Sequence, residues 1–231
     1  MTRISINDLS FAWPGQDQTV VSIDHFSLEA GERLLLQGPS GSGKSTLLSA
    51  ISGITSLPNG AVEVVGTDIA KLSSRRRDQF RADHLGMIFQ VFNLIPWMSA
   101  RENILLPITY SKMRKARLQL SPQAEADRLL KALGLDPATV GLQPAANLSV
   151  GQQQRVAAAR ALIGSPEVIL ADEPTSALDE RAKHRFMDVL NQQVQDTGAS
   201  LLMVSHDETL GRHFDRVVSF EKLNKCCAVA C

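Results

Sequence analysis

Residues Gly38-Pro39-Ser40-Gly41-Ser42-Gly43-Lys44-Ser45-Thr46 restrict the possible folds more than any other stretch, because they match G-x-x-x-x-G-K-[ST] at every fixed position. Before them, Arg33-Leu34-Leu35-Leu36 reads as a short buried strand. After them, Leu47, Leu48 and Ile51 recur at helical spacing until Gly53 ends the helix. A glycine-rich loop between a strand and a helix is a phosphate cradle. Its glycines let the backbone wrap closely around an anion, and its N–H groups and the helix N-terminus supply partial positive charge. Lys44 reaches the β- and γ-phosphates and the Ser45 hydroxyl is a Mg²⁺ ligand.

At 231 residues the chain has room for one well-buried core, or a core carrying one inserted subdomain. Lys plus Arg equals Asp plus Glu at 24 each, so the basic excess of a nucleic-acid binder is missing and no nucleic-acid partner is expected. The first residues hold no apolar stretch of signal-peptide length, and no run approaches the ~18 apolar residues of a membrane span, which predicts a polypeptide soluble on its own. The three cysteines, Cys226, Cys227 and Cys231, crowd the end of the sequence. They make no disulfide framework, suit a reducing cytoplasm, and read as a tail of free thiols.

In chain order, Ile4, Ile6, Leu9 and Phe11, then Val20, Val21, Ile23 and Phe26 after a Pro14-Gly15 turn, predict antiparallel strands along one edge. An aromatic shortly before a phosphate loop stacks on a nucleobase, and Trp13 and Phe11 are both candidates. Ala61 to Gly66 reads as another short strand after an Asn59-Gly60 turn. The run Arg75-Arg76-Arg77 with Arg81 reads as a solvated helix face. His84 to Gln90 reads as a buried strand ending in an amide, whose carbonyl can coordinate Mg²⁺ or hold a water. The following Val91, Phe92, Leu94, Ile95, Pro96, Trp97 and Met98 are apolar without periodicity, the composition of a surface for a protein partner. Residues 101 to 146 are mainly helical, the clearest helix starting at Ser121 and Pro122 and stopping at Gly134.

Leu148-Ser149-Val150-Gly151-Gln152 then leads into an alanine-rich helix, a second anion-binding arrangement of hydroxyl, glycine and free N–H groups at a helix start. Glu167 to Ala171 is a continuous apolar strand that delivers Asp172 and Glu173 at its end, placed to hold Mg²⁺ and to polarise an attacking water. Leu201 to Val204 is a further buried strand ending at Ser205-His206, whose imidazole can donate to a γ-phosphate.

Together these residues resemble the ATP-binding cassette (ABC) ATPase family over almost the whole chain. Gly38 to Thr46 is similar to the Walker A loop, Gln90 to the Q-loop, Leu148 to Gln152 to the signature, Val168 to Glu173 to Walker B, Ser176 to Asp179 to the D-loop, and His206 to the switch histidine. The resemblance implies an α/β fold: a P-loop NTPase (RecA-like) core with an antiparallel β edge and an inserted α-helical subdomain. It implies a nucleotide-binding core of residues 1–90 and 165–231 and a helical subdomain of 91–164, in one ABC ATPase domain. It further implies an ATPase using ATP and Mg²⁺, with Lys44, Glu173 and His206 catalytic. The metal would be held by Ser45, Gln90 and Asp172. Nucleotide would be bound by Trp13, Gly38, Pro39, Ser40, Gly41, Ser42, Gly43, Lys44, Ser45, Thr46 and Gln90, and in trans by Ser149, Gly151 and Gln152. The partners implied are a second copy or a related ATPase in a head-to-tail dimer, and transmembrane permease subunits whose coupling helix meets residues 91–106. That places the chain peripherally on the cytoplasmic side of the inner membrane. The one departure is Val150, where the family usually has glycine. Within the family, residues 86–106 are similar to the macrolide-exporter and lipoprotein-releasing ATPases, which implies export or extrusion of lipoprotein, peptide or antibiotic. An ABC-type ATPase serving a non-transport membrane or DNA process is the alternative.

Overall fold

The structure is a computed structural model that describes residues 1–16 and 18–226. Cys227 and Cys231 lie outside the described residues, and Cys226 is half-buried. The chain opens with β1 (Thr2–Ala12), β2 (Thr19–Glu29) and β3 (Arg33–Gln37), then α1 (Lys44–Ile51), β4 (Val62–Val64), β5 (Thr67–Asp68) and α2 (Ser74–His84). It continues with β6 (Leu85–Ile88), α3 (Ala100–Tyr110), α4 (Lys112–Ala116), α5 (Pro122–Ala132), α6 (Val150–Leu162) and β7 (Val168–Asp172). It closes with α7 (Glu180–Thr197), β8 (Ser200–Ser205), β9 (Arg216–Ser219) and the short α8 (Phe220–Leu223). Two compact units result, residues 1–81 with the described chain from Ser200 onward, and residues 82–199.

The first unit holds an antiparallel sheet in the order β2-β1-β4-β5 and three parallel strands in the order β8-β3-β9. Ile4 and Ile6 are buried against Phe26 and Leu28, and Leu9 and Phe11 against Val21 and Ile23. Both strands lose alternation together at the exposed pairs Asn7-Asp8 and Asp24-His25, where Asp8 takes a φ of 49°. The strand expected from Ala61 to Gly66 is shorter than predicted. Val65 and Gly66, at φ 49° and 70°, form the tight turn into β5, as a two-residue hairpin requires. The middles of β3 and β8 are apolar, with Leu34, Leu35, Leu36 and Leu201 to Val204 fully buried, while β9 at the edge is partly exposed. Their registers pair Gln37 with both Ser205 and Ser219, so the residues that follow, Gly38, His206 and Phe220, leave one sheet edge at the same level. The carboxyl ends of parallel strands are where ligands bind in such sheets.

The second unit contains the parallel pair β6-β7 and the helices around it. A β-carbon at Gly86 would lie 2.3 Å from the carbonyl oxygen of Ala161, so α6 packs on β6 at a distance only glycine allows. The helix predicted from Ser121 is α5, with Ser121 as N-cap, Leu129 and Leu130 buried, and Gly134 at φ 71° just past its end. The long α7 starts on Asp179, whose carboxylate accepts from the N–H of Ala182, and stops at Gly198, φ 66°.

Candidate functional site

In the first unit, Gly43 is the residue before α1. Its φ of 106° is open only to glycine in practice, and it offers no side chain to cap the helix. Lys44 is almost fully buried, and its ammonium folds back over the loop to donate to the carbonyls of Gly38 at 2.9 Å and Pro39 at 2.6 Å. The loop is thus closed into a ring by its own cation. The N–H of Gly38 donates to the carbonyl of Ser205 at 3.2 Å, tying the loop to the end of β8 where His206 begins. Gln37, Gly38, Pro39, Ser219 and the exposed His206 line one polar pocket of about 360 Å³. Ser40, Gly41 and Ser45 are exposed at the loop surface, while Ser42 and Thr46 are half-buried. Trp13 stands edge-on to the buried Phe11, centroids 5.2 Å apart at 81°, and is itself 38% exposed, leaving part of its ring open.

In the second unit, the β6-β7 register ends at Ile88 opposite Ala171. Gln90 and Glu173 each lie two residues further along, so the amide and the carboxylate pair of Asp172 and Glu173 emerge together from neighbouring strand ends. Glu173 adopts φ 42°, a left-handed conformation unusual for a residue with a side chain, and its carbonyl accepts from the N–H of Ser176 at 3.2 Å to turn the chain sharply. Ser149 is the N-cap of α6 in a complete capping box. Its hydroxyl accepts from the N–H of Gln152 at 3.3 Å, while the Gln152 amide oxygen accepts from the N–H of Ser149 at 2.9 Å. Val150 enters as the first helical residue with its side chain about half exposed, and a β-carbon at Gly151 would meet only the Arg155 guanidinium, at 3.8 Å. Gln154, buried one turn along, donates to the carbonyl of Pro174 at 2.6 Å, which fastens this helix to the segment just after Glu173.

Ser45, Gln90 and Asp172 offer only oxygen donors, which suit a hard cation such as Mg²⁺. No cluster of three or more His, Cys, Asp or Glu able to hold a metal exists among the described residues.

Two organising residues escaped the sequence reading. Asn103 is fully buried on α3, where its amide donates to the carbonyls of Ile95, Met98 and Ser99 at 3.1–3.2 Å and its oxygen accepts from the N–H of Ile95 at 2.8 Å. It fixes the apolar loop ahead of the helix, leaving Val91 and Trp97 more than three-quarters exposed. Its signal was a polar residue in the buried stripe formed by Ala100, Ile104 and Ile108. Phe92, expected on the partner-facing side of that loop, is instead buried. Its backbone turns at φ 54°, and Arg160 donates to the Phe92 and Asn93 carbonyls at 2.6 Å. The second organiser is Arg114, 1% exposed, which donates to the carbonyls of Leu85, Ala161 and Ile163.

A strand, a glycine loop, a helix with a buried lysine and a buried strand ending in two carboxylates define a P-loop nucleoside-triphosphate hydrolase of α/β fold. The family model described as ABC transporter matches residues 21–176. The chain is 41% identical over 209 residues to the lipoprotein-releasing system ATP-binding protein LolD of Novosphingobium aromaticivorans, covering 90% of this chain and 91% of that protein. It is 38% identical over 218 residues to the macrolide export ATP-binding/permease protein MacB of Shigella flexneri, covering 93% of this chain but only 32% of that longer protein. Two dimeric structures of the ATP-binding cassette MJ0796 are similar: one bound to ADP and Pi, with TM-score 0.82, 30% identity and coverage of 97% of this chain and 95% of that one, and another with TM-score 0.81, 32% identity and coverage of 94% and 93%. The chain belongs to the ABC transporter family and is an ATP-hydrolysing subunit of it. No helix among the described residues is long and apolar enough to cross a membrane.

Proposed function

We propose that this chain works as a head-to-tail pair, with itself or a relative, in which the phosphate loop of one subunit is completed by the signature turn of the other, and that closure drives separate membrane subunits. The observation that carries this reading is the second anion-binding helix start, at Ser149 to Gln152, which a single nucleotide bound in the loop of the same chain leaves without a use. Lys44 exchanges its two carbonyl partners for β- and γ-phosphate oxygens, and the N–H groups from Gly38 to Thr46 wrap the β-phosphate. Trp13 stacks on the adenine. Glu173 orients and deprotonates the attacking water, while His206 donates to the γ-phosphate and reports its presence. Ser45, Gln90 and Asp172 hold Mg²⁺, which when bound neutralises charge developing on the phosphate oxygens. The partner subunit's Ser149, Gly151 and Gln152 close the site from the other side.

Residues 1–90 and 165–231 form the nucleotide-binding core in this scheme, and 91–164 the helical subdomain that carries the signature. The loop braced by Asn103 exposes Val91 and Trp97 within the segment, 91–106, that receives the coupling helix of a permease subunit. That contact holds the chain peripherally on the cytoplasmic side of the inner membrane. The names of its relatives, one lipoprotein-releasing and one exporting a macrolide, support export or extraction of a lipoprotein or antibiotic.

The test is size-exclusion chromatography of Glu173→Gln with ATP and Mg²⁺, beside the same variant carrying Ser149→Ala. ATP is expected to shift the first to a dimer and leave the second monomeric. Two monomers would sink the self-paired motor, and two dimers would remove the signature from the composite site.

A further inference from the structure

The turn from Phe220 to Asn224 lies against the back of the phosphate loop, more than 170 residues away in sequence. Because Ser219 of β9 is register partner to Gln37 of β3, Phe220 and Gly38 leave the sheet side by side. Phe220 is fully buried and touches the loop at both ends. A β-carbon at Gly38 would lie 3.1 Å from Phe220 Cβ, and one at Gly43 would lie 3.5 Å from the ring edge. Asn224, also fully buried, closes its turn by donating its N–H to the carbonyl of Phe220 at 2.7 Å. Its side-chain oxygen accepts from the N–H of Ser22 at 2.8 Å. Its amide donates to the carbonyl of Val20 at 2.9 Å and, at a longer 3.5 Å, to that of Ser42. The Val20 carbonyl in turn would lie 3.2 Å from a β-carbon at Gly43, so this oxygen is pressed against the loop from behind.

The Ser42 contact bears on what the loop presents to a ligand. In a planar trans peptide the N–H points opposite to the C=O. A Ser42 carbonyl drawn back toward Asn224 therefore turns the Gly43 N–H away from Asn224, toward the front of the loop. A loop with glycines at 38, 41 and 43 has much freedom to lose on binding, and a brace that fixes it beforehand lowers that loss. We propose that Asn224 and Phe220 are positioning residues that hold the phosphate loop in its anion-binding shape, which makes the C-terminal turn part of the nucleotide site. The proposal rests on reading Gly38 to Thr46 as that site.

The experiment measures binding of ADP and of AMP, with Mg²⁺, to the full chain and to Asn224→Asp and Phe220→Leu, together with melting without nucleotide. Asn224→Asp keeps the acceptor and loses the donor. Phe220→Leu keeps an apolar filling but loosens it, and decides alone if the first variant does not fold. ADP is expected to bind about tenfold more weakly to each variant, a loss the size of one good interaction. AMP, which lacks the β-phosphate that the loop wraps, should stay within about twofold, and melting of Phe220→Leu should fall by no more than about 4 °C, with a larger fall for Asn224→Asp because its carboxylate is buried opposite the Val20 and Ser42 carbonyls. Unchanged ADP affinity, or equal losses for ADP and AMP, would overturn the brace. A parent chain that binds no ADP overturns the phosphate-site reading itself.

Discussion

Two helix starts in this molecule carry the composition of an anion site, and they are built in opposite ways. At α1 the preceding residue is Gly43, which has no side chain to cap the first turn, and Lys44 is buried over the loop as a fixed cation. At α6 the exposed Ser149 and half-buried Gln152 satisfy each other's backbone in a capping box. The first turn receives no cap from the residue before it, whereas the second is capped by its own side chains. At α6 an oxygen that takes the Gln152 N–H must displace a hydrogen bond already made, while the Ser149 hydroxyl, an acceptor in the box, still has its own proton to donate. At α1 the bonds to be exchanged belong to the lysine, and at α6 they belong to the capping box.

The comparison is most exposed at Lys44. Lys44→Met removes the cation and two charge-assisted hydrogen bonds while keeping the apolar stem, and each such bond is worth about 1.5–3 kcal/mol. ATP affinity measured by calorimetry should fall at least about a hundredfold. A loss below about fivefold would mean that the loop backbone carries the site without its lysine, and the contrast between the two turns would collapse.

A smaller effect is expected at the far end of α6. Beyond its own backbone bonds, that end is capped by Arg114 of α4, which donates to Ala161 at 2.9 Å and to Ile163 at 2.8 Å, and also to Leu85 of β6 at 3.2 Å. Burial pulls this guanidinium down to about 10, still charged at neutral pH, where a cation favours a helix C-terminus. Arg114→Met fills part of the space and leaves the carbonyls without their donor, so urea unfolding should show a loss of about 3 kcal/mol. A change below about 1 kcal/mol would show that α6 is held by packing alone.

The phosphate loop, the helix start at Ser149 and α5 were legible because each is a local pattern, readable within nine residues or fewer or at helical spacing, but the N–H groups expected to be free at Ser149 and Gln152 are taken up by a capping box that was not read. Asn103 was half-legible, as a polar residue in an apolar stripe. Arg114 and Asn224 were not, since their partners lie 29 to 49 and 182 to 204 positions away, and nothing in the spacing of a lone Arg or Asn announces a distant carbonyl. Phe92 misled for a related reason. In a stretch without periodicity the direction of each side chain is set by the backbone, and two consecutive left-handed residues, Phe92 and Asn93, turned the ring inward.

The smallest effect concerns the carboxylate just before β7. Glu167 accepts from Arg117, at 3.2 Å through one guanidinium nitrogen and 2.5 Å through the other, and pairs with His84 at 3.2 Å. Burial alone would raise its pKa, but the hydrogen bonds from His84 and Arg117 outweigh burial and bring it down to about 2. A carboxylate depressed on folding adds stability that is complete above its unfolded value, about 4.5, and is lost as pH falls toward 2. With a discount for the solvent that still reaches the group, about 1 kcal/mol should be gone by pH 3.5. Glu167→Gln should flatten that part of the stability curve when urea midpoints are compared at pH 7 and 3.5. In the first unit, Asp215 is likewise lowered by its bond to Arg33, but it lies more open to solvent, so Asp215→Asn should flatten the curve less. If the two substitutions act equally, acid does not distinguish the unit that holds the signature from the unit that holds the phosphate loop.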